Sequence, residues 1–358
     1  MSSRVKVQDV LGECFMTGFT GFELDQDTAQ FLESAKIGGV IYFAHNYASP
    51  EQISRLSASV QAKAHSIRFI ATDHEGGRVQ RFKDGFTKIP EAIDLASKLT
   101  PKQLFEVSEM MARELAAVGV NLNFAPVADI QSNPKNPVIG RRAFGADEPT
   151  VSKFVSAFVR GHMNGGVHPC VKHFPGHGDT TVDSHLALPE VSTPVETLKE
   201  REFRPFLKAI KSGCRFLMTA HVVNPRLDPG VPATLSHYTL SEVLRDELRY
   251  TGIIVSDDLE MQAIADNYGA DEAPVRALLA GCDMLIYRSE SACRRGYQAV
   301  LKALNDHPDL QERIWDSANR ILQIKKETLR AYQAKSAAQL NTEVGTEKHL
   351  TQLKAMGF

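Results

Sequence analysis

GGVIYFAHNYASPEQISRLSASVQAKAHSIRFIATDHEGG, residues 38–77, contains the alternation that sets the fold class. An apolar run at 39–43 ends in Ala44-His45-Asn46, a helical-period segment opens at Ser49-Pro50, and a second apolar run at 69–72 ends in Asp73-His74-Glu75. Short apolar runs rich in β-branched residues and bounded by polar or glycine residues read as buried strands. Ser or Thr beside Pro suits an N-cap and the first turn of a helix. The same unit recurs outward in both directions. Further strand candidates fall at 11–18, 121–125, 169–172, 216–219, 252–256 and 284–287, and TPKQLFEVSEMMARELAAVG from Thr100 repeats the helix signature.

Strands alternating with helices imply a parallel sheet, and eight such units in a chain of this length fit a closed (β/α)8 barrel of the TIM type better than an open doubly wound sheet. No GxGxxG follows the first strand, so a dinucleotide site is disfavoured. The expectation is one α/β barrel domain over residues 1–334. It closes with a helix over about 310–332 that puts Trp315, Ile321 and Ile324 on its apolar face. Residues 335–358 (KSAAQLNTEVGTEKHL and onward) are polar and read as either a loose tail or one further surface helix.

Of the 358 residues 43% are hydrophobic and 23% charged, enough for a large buried core. Forty-one Lys and Arg against 43 Asp and Glu give a net charge of -2, which argues against nucleic acid or an anionic membrane as partner. No stretch approaches the roughly 20 apolar residues of a spanning helix, and the start lacks the pattern of a secretory signal. A cytoplasmic, monomeric protein is expected. Cys14, Cys170, Cys214, Cys282 and Cys293 form no CxxC pair and read as reduced, buried thiols. Cys170, three residues before His173, is a strand residue rather than a nucleophile on this reading.

Polar residues just past the C-terminal ends of barrel strands converge on one mouth. Three stretches qualify: Asp73 to Arg81 after the third strand, Lys172 to Thr180 after the fifth, and Ser256-Asp257-Asp258-Leu259-Glu260 after the seventh. In the seventh, Asp257 is the carboxylate placed at the mouth and Asp258 points elsewhere; capping of the next helix is the alternative for both. The fifth loop carries His173, His177 and His185 with Asp179 and Asp183, a density that admits a zinc reading. Its glycines and proline suit a mobile loop better than a rigid metal site, so no metal or cofactor is expected. Asp183 and His185, two residues apart, can form a pair in which the carboxylate orients the imidazole for proton transfer. Lys172, His173, Asp73, Arg81 and Arg142 supply donors and an acceptor for a hydroxyl-rich ligand, with buried ion pairing as the alternative. Arg78 and Arg141 are read as facing away from the mouth.

VKHFPGHGDTTVDSH (171–185), ATDHEGGRVQRF (71–82), NFAPVADI (123–130), NPVIGRRAF (136–144) and IIVSDDLEM (253–261) together resemble the single-domain glycoside hydrolase family 3 β-N-acetylglucosaminidases of bacterial peptidoglycan recycling. The resemblance spans about residues 10–290. It implies a retaining glycosidase with Asp257 as nucleophile, His185 as acid/base oriented by Asp183, and Asp73, Arg81, Arg142, Lys172 and His173 holding the sugar. The substrate it implies is a small carbohydrate, a GlcNAc-1,6-anhydro-MurNAc peptide. Two departures stand out: Arg141 occupies a position that is commonly acidic, and His74 one that is frequently Gln. Three other activities stay open at this point: a phosphorylase in which phosphate replaces water, a zinc-dependent hydrolase, and a catalytically silent sugar-binding barrel.

Overall fold

The computed structural model describes residues 6–62, 64–181 and 188–358. Eight parallel strands close into a barrel: β1 Phe15–Thr17, β2 Gly39–Tyr42, β3 Phe69–Thr72, β4 Leu122–Asn123, β5 His168–Phe174, β6 Phe216–Thr219, β7 Ile253–Asp258 and β8 Met284–Tyr287. Each strand pairs with its neighbours in sequence, and β8 pairs with β1 to complete the ring. The barrel is thus the single-domain TIM-type fold expected from the alternation.

Two strands are shorter than their apolar runs. Residues Leu11–Cys14 form a 3-10 turn rather than the start of β1. A Cβ on Gly12 would lie 1.8 Å from the Ala35 carbonyl oxygen, so this segment is buried by close backbone packing and its apolar character says nothing about extension. β4 has only two residues in regular pairing, and the chain pairs with β5 again at Val127–Lys172. Side-chain amides extend it: Asn121 bonds Ile70 N (2.9 Å) and Arg68 O (3.0 Å), and Asn123 bonds His74 N (2.9 Å) and His74 O (3.0 Å).

The N-terminal end of the barrel is plugged. Phe69 and Phe216 meet edge to face at 5.1 Å, and the Lys325 ammonium sits 5.2 Å over the Phe69 ring while bonding Glu13 (2.5 Å) and the Gly38 carbonyl (2.8 Å). Lys325 comes from the closing helix Pro308–Thr328, which buries Ile321 and Ile324 and half-buries Trp315. Beyond it, Ala337–Leu340 and Glu347–Ala355 are helical, and Leu340, Val344 and Leu353 join the core. The Glu114 carboxylate ties this segment down, accepting from Thr87 N (3.0 Å), Gly345 N (2.9 Å) and His349 Nδ1 (2.7 Å). All five cysteines are free and buried. Burial pushes the Cys170 thiol well above its ordinary value, which leaves it inert at neutral pH. Among the described residues no helix is long and apolar enough to cross a membrane.

His162, under β4, bonds Ser108 Oγ (2.6 Å) and Asn123 Nδ2 (2.9 Å), and burial lowers its pKa to about 3. A histidine depressed in the folded state is protonated in the unfolded chain below about pH 6.5, so its contribution to stability falls as the pH drops from there. Asp258 and Glu202, both raised to about 7 chiefly by burial, work in the opposite sense, so the whole protein is a poor reporter. His162→Gln isolates the effect. Its stability cost relative to the parent should shrink by about 2 kcal/mol between pH 7.5 and pH 5. Urea titrations of both proteins at the two pH values measure this, and an unchanged difference would mean that His162 is not held neutral.

Candidate active site

The C-terminal end of the barrel opens into a cavity of about 730 Å3. Five of the residues singled out from sequence as the sugar grip, Asp73, Arg81, Arg142, Lys172 and His173, line it together with Asp257. Asp183 and His185 lie outside the described residues.

The chain after β3 turns at once into a short antiparallel hairpin, His74–Gly76 with Val79–Gln80. Gly77, at φ +55°, makes the turn in a conformation that favours glycine. This hairpin brings Asp73, Glu75, Arg78 and Arg81 to the cavity from nine residues of chain. β5 supplies Lys172 and His173, and the turn Gly140–Arg142 supplies Arg142.

These groups form one ladder of ion pairs. Lys172 Nζ lies 2.8 Å from Asp73 Oδ1 and 2.7 Å from Glu75 Oε1. Arg142 grips Glu75 with both arms of its fork, Nε to Oε2 at 2.8 Å and NH2 to Oε1 at 2.7 Å. Arg81 reaches Asp73 Oδ2 at 3.2 Å. Burial alone would raise both carboxyls. The cations outweigh it, holding Asp73 well below the usual range and Glu75 down to about 2. The side chains pair with one another, as the ion-pair alternative has it, and the same side chains line the cavity.

Removing one member should be costly. Lys172→Met leaves two buried carboxylates short of a shared cation, and a loss of about 3 kcal/mol is expected. Urea unfolding checks it; a loss within the ~0.5 kcal/mol of an ordinary surface change would show that the two arginines suffice.

Asp257, near the end of β7, is under opposing influences. Burial favours its neutral form, but His221, His173, the Asp258 peptide N–H and Lys172 prevail and lower its pKa. Asp258 behaves differently. Burial dominates, Glu260 and Asp257 add like charge, and the carboxyl is pushed up to about 7 despite Arg288 at 3.3 Å. Both carboxylates line the cavity, where the alternation of strand side chains had suggested that only Asp257 would. Asp258 accepts from Glu260 N (3.0 Å) and from Arg288 N just past β8 (3.3 Å), so the pair splits into a lowered Asp257 and a raised Asp258.

Four participants escaped the strand-end reading. Glu75 sits three residues past the end of β3, inside the hairpin. Asp129 belongs to the loop after β4, yet it accepts from His173 Nδ1 at 2.7 Å and from His177 N at 2.7 Å. His221 follows β6 by two residues and bonds Thr234 Oγ1 (2.8 Å) and the Asp258 carbonyl (3.0 Å). The strand-end rule applied to β6 would have found it. Arg78, read as facing away, lines the cavity and donates to the Val138 carbonyl at 2.7 Å. Arg141 does face away, paired with Glu91 and Asp94 on the surface. His74 is fully buried between Phe82 and Phe86, with burial lowering its pKa to about 4, and it packs rather than binds. Among the described residues no cluster of three or more His, Cys, Asp or Glu is arranged to hold a metal ion.

The N-terminal domain of glycosyl hydrolase family 3 matches residues 6–324. The chain belongs to glycosyl hydrolase family 3. Among its family 3 relatives, the β-hexosaminidase of Idiomarina loihiensis is 37% identical over 311 residues, covering 86% of this chain and 92% of that one. The β-hexosaminidase of Methylococcus capsulatus is 40% identical over 276 residues, covering 76% and 81%. Among solved structures, the family 3 β-N-acetylglucosaminidase of a Paenibacillus species superposes with a TM-score of 0.94 at 36% identity, over 99% of this chain and 68% of that one. NagZ from Neisseria gonorrhoeae, solved with N-trifluoroacetyl-D-glucosamine, superposes with a TM-score of 0.75 at 29% identity, over 96% of both chains. This family 3 protein is a glycosidase of the β-hexosaminidase class.

Proposed function

We propose that the protein removes non-reducing terminal β-linked N-acetylglucosamine from peptidoglycan fragments, GlcNAc-1,6-anhydro-MurNAc peptides, in cytoplasmic cell-wall recycling. The observation that carries the reading is Asp257, its pKa lowered, lining the same cavity as a set of paired hydrogen-bond donors and acceptors. An ionised carboxylate facing a polar grip suits nucleophilic attack on a held sugar.

The reaction is a double displacement. An Asp257 oxygen bonds to the anomeric carbon as the bond to the leaving oxygen breaks, and His185, oriented by Asp183, gives that oxygen its proton. In the second half His185 takes a proton from water, whose oxygen bonds to the anomeric carbon and expels Asp257. Two inversions retain the β configuration. Asp73, Arg81, Arg142, Lys172 and His173 hold the sugar, and no metal or cofactor takes part.

Hydrolysis of 4-nitrophenyl N-acetyl-β-glucosaminide by chelator-treated protein, in phosphate-free and in phosphate buffer, tests this. Free N-acetylglucosamine in both buffers is expected. A sugar 1-phosphate in the second would make the protein a phosphorylase, and no turnover in either would leave a sugar-binding barrel.

A further inference from the structure

Asp129 is fully buried and reaches the cavity only through another side chain. It lies in the segment Pro126 to Ile130, which runs beside the end of β5: Lys172 N donates to Pro126 O at 3.2 Å and Ala128 N to Lys172 O at 2.7 Å. That pairing brings Asp129 level with His173. The three hydrogen bonds its carboxylate accepts from described residues come from one short stretch, the His173 ring Nδ1 (2.7 Å), His173 N (3.3 Å) and His177 N (2.7 Å). Gly178 lets the two segments touch, since a Cβ there would lie 1.6 Å from the Ile130 carbonyl oxygen. Burial opposes ionisation of Asp129, but His173 and His177, through charge when protonated and through the hydrogen bonds they donate in either state, prevail and lower its pKa.

A carboxylate is an acceptor only, so the nitrogen facing it must carry the hydrogen. We propose that Asp129 is a positioning residue acting through His173. It holds the proton on Nδ1, so that Nε2 of the neutral ring is presented to the cavity as a hydrogen-bond acceptor for a substrate hydroxyl. No described residue hydrogen-bonds Nε2, and His173 lines the cavity. Asp129 thereby turns one member of a donor-rich wall into an acceptor. Of the other groups there, Lys172, Arg81 and Arg142 can only donate, and the acceptors Asp73 and Glu75 are already paired with them.

Asp129→Asn separates this role from a purely structural one. The Asn oxygen can still accept from the two backbone N–H groups, but its NH2 would meet Nδ1–H donor to donor, and the ring escapes by moving its proton to Nε2. The loss expected in kcat/KM on 4-nitrophenyl N-acetyl-β-glucosaminide is about 10- to 100-fold, the range typical of partners that orient a liganding histidine, and it should appear mainly in KM. In a His173→Ala background the same substitution should cost less than about twofold, because sites that act as a unit are not additive. Equal losses in both backgrounds would overturn the proposal.

The kinetic arm rests on the glycosidase reading, and a second arm does not. Protein labelled with 15N-histidine, with His173 assigned by its absence in His173→Gln, reports the tautomer directly at a pH where the ring is neutral. Nδ1–H is expected in the parent protein. An Nε2-protonated neutral ring there would overturn the proposal whether or not the protein turns over substrate, whereas inactivity with an Nδ1–H ring would count against the functional reading alone.

Discussion

Asp257→Ala should lower kcat/KM for 4-nitrophenyl N-acetyl-β-glucosaminide by about four orders of magnitude or more, the scale on which covalent catalysis fails when its nucleophile is removed. The carboxylate is held in its charged form by His221, His173 and Lys172 against the pull of burial, so the group is ready to attack without first losing a proton. Truncation also leaves a space beside the anomeric carbon. A small anion such as azide should occupy it and restore part of the rate, giving an α-glycosyl azide because only one inversion then occurs. Retention of more than a tenth of the parent activity by the alanine variant, or a β-azide product, would remove Asp257 from the nucleophile's role.

The second large effect concerns His185. His185→Ala should lose about 10^2- to 10^4-fold in kcat/KM on natural disaccharide substrates, whose leaving alcohol needs a proton in the transition state. On the 4-nitrophenyl glycoside kcat/KM should change little, since nitrophenolate departs without help. Turnover of that substrate should nonetheless slow, because the same imidazole activates water in the second half. A burst of nitrophenolate followed by a slow steady state is the expected trace. Equal losses in kcat/KM on both substrates would mean that His185 does not protonate the leaving group. Asp183→Asn should show the same pattern at smaller amplitude, the imidazole being present but less well oriented.

The fold was legible because each of the eight strands is a short apolar run stopped by a polar residue, and burial on both faces of a parallel strand leaves that signature. It misled at residues 11–14, where close backbone contact at Gly12 demands small and apolar residues without demanding extension. It was too generous at 121–125, where the regular ladder covers only 122–123, two Asn side chains do part of its work, and pairing with β5 resumes at Val127. The site was legible to the same extent. Asp73, Lys172, His173 and Asp257 stand at or just past strand ends, where the geometry of the barrel sends side chains to one mouth. Glu75 and Asp129 were in plain view in the motifs quoted above but unassigned. A carboxylate whose role is to pair with Arg142 or to orient His173 is recognisable only from its partners, and these lie 67 and 44 residues away in sequence.

The ladder that runs from Arg81 through Asp73, Lys172 and Glu75 to Arg142 has a bearing on affinity. Its long side chains have already given up their rotamer freedom when the chain folds, so a sugar that replaces water along them need not pay for ordering Lys and Arg on arrival. Each cation also has a carboxylate partner within the chain, the three sharing Asp73 and Glu75, and a neutral sugar entering the cavity need displace no salt ion from them. Its binding should therefore be as tight in concentrated salt as in dilute buffer.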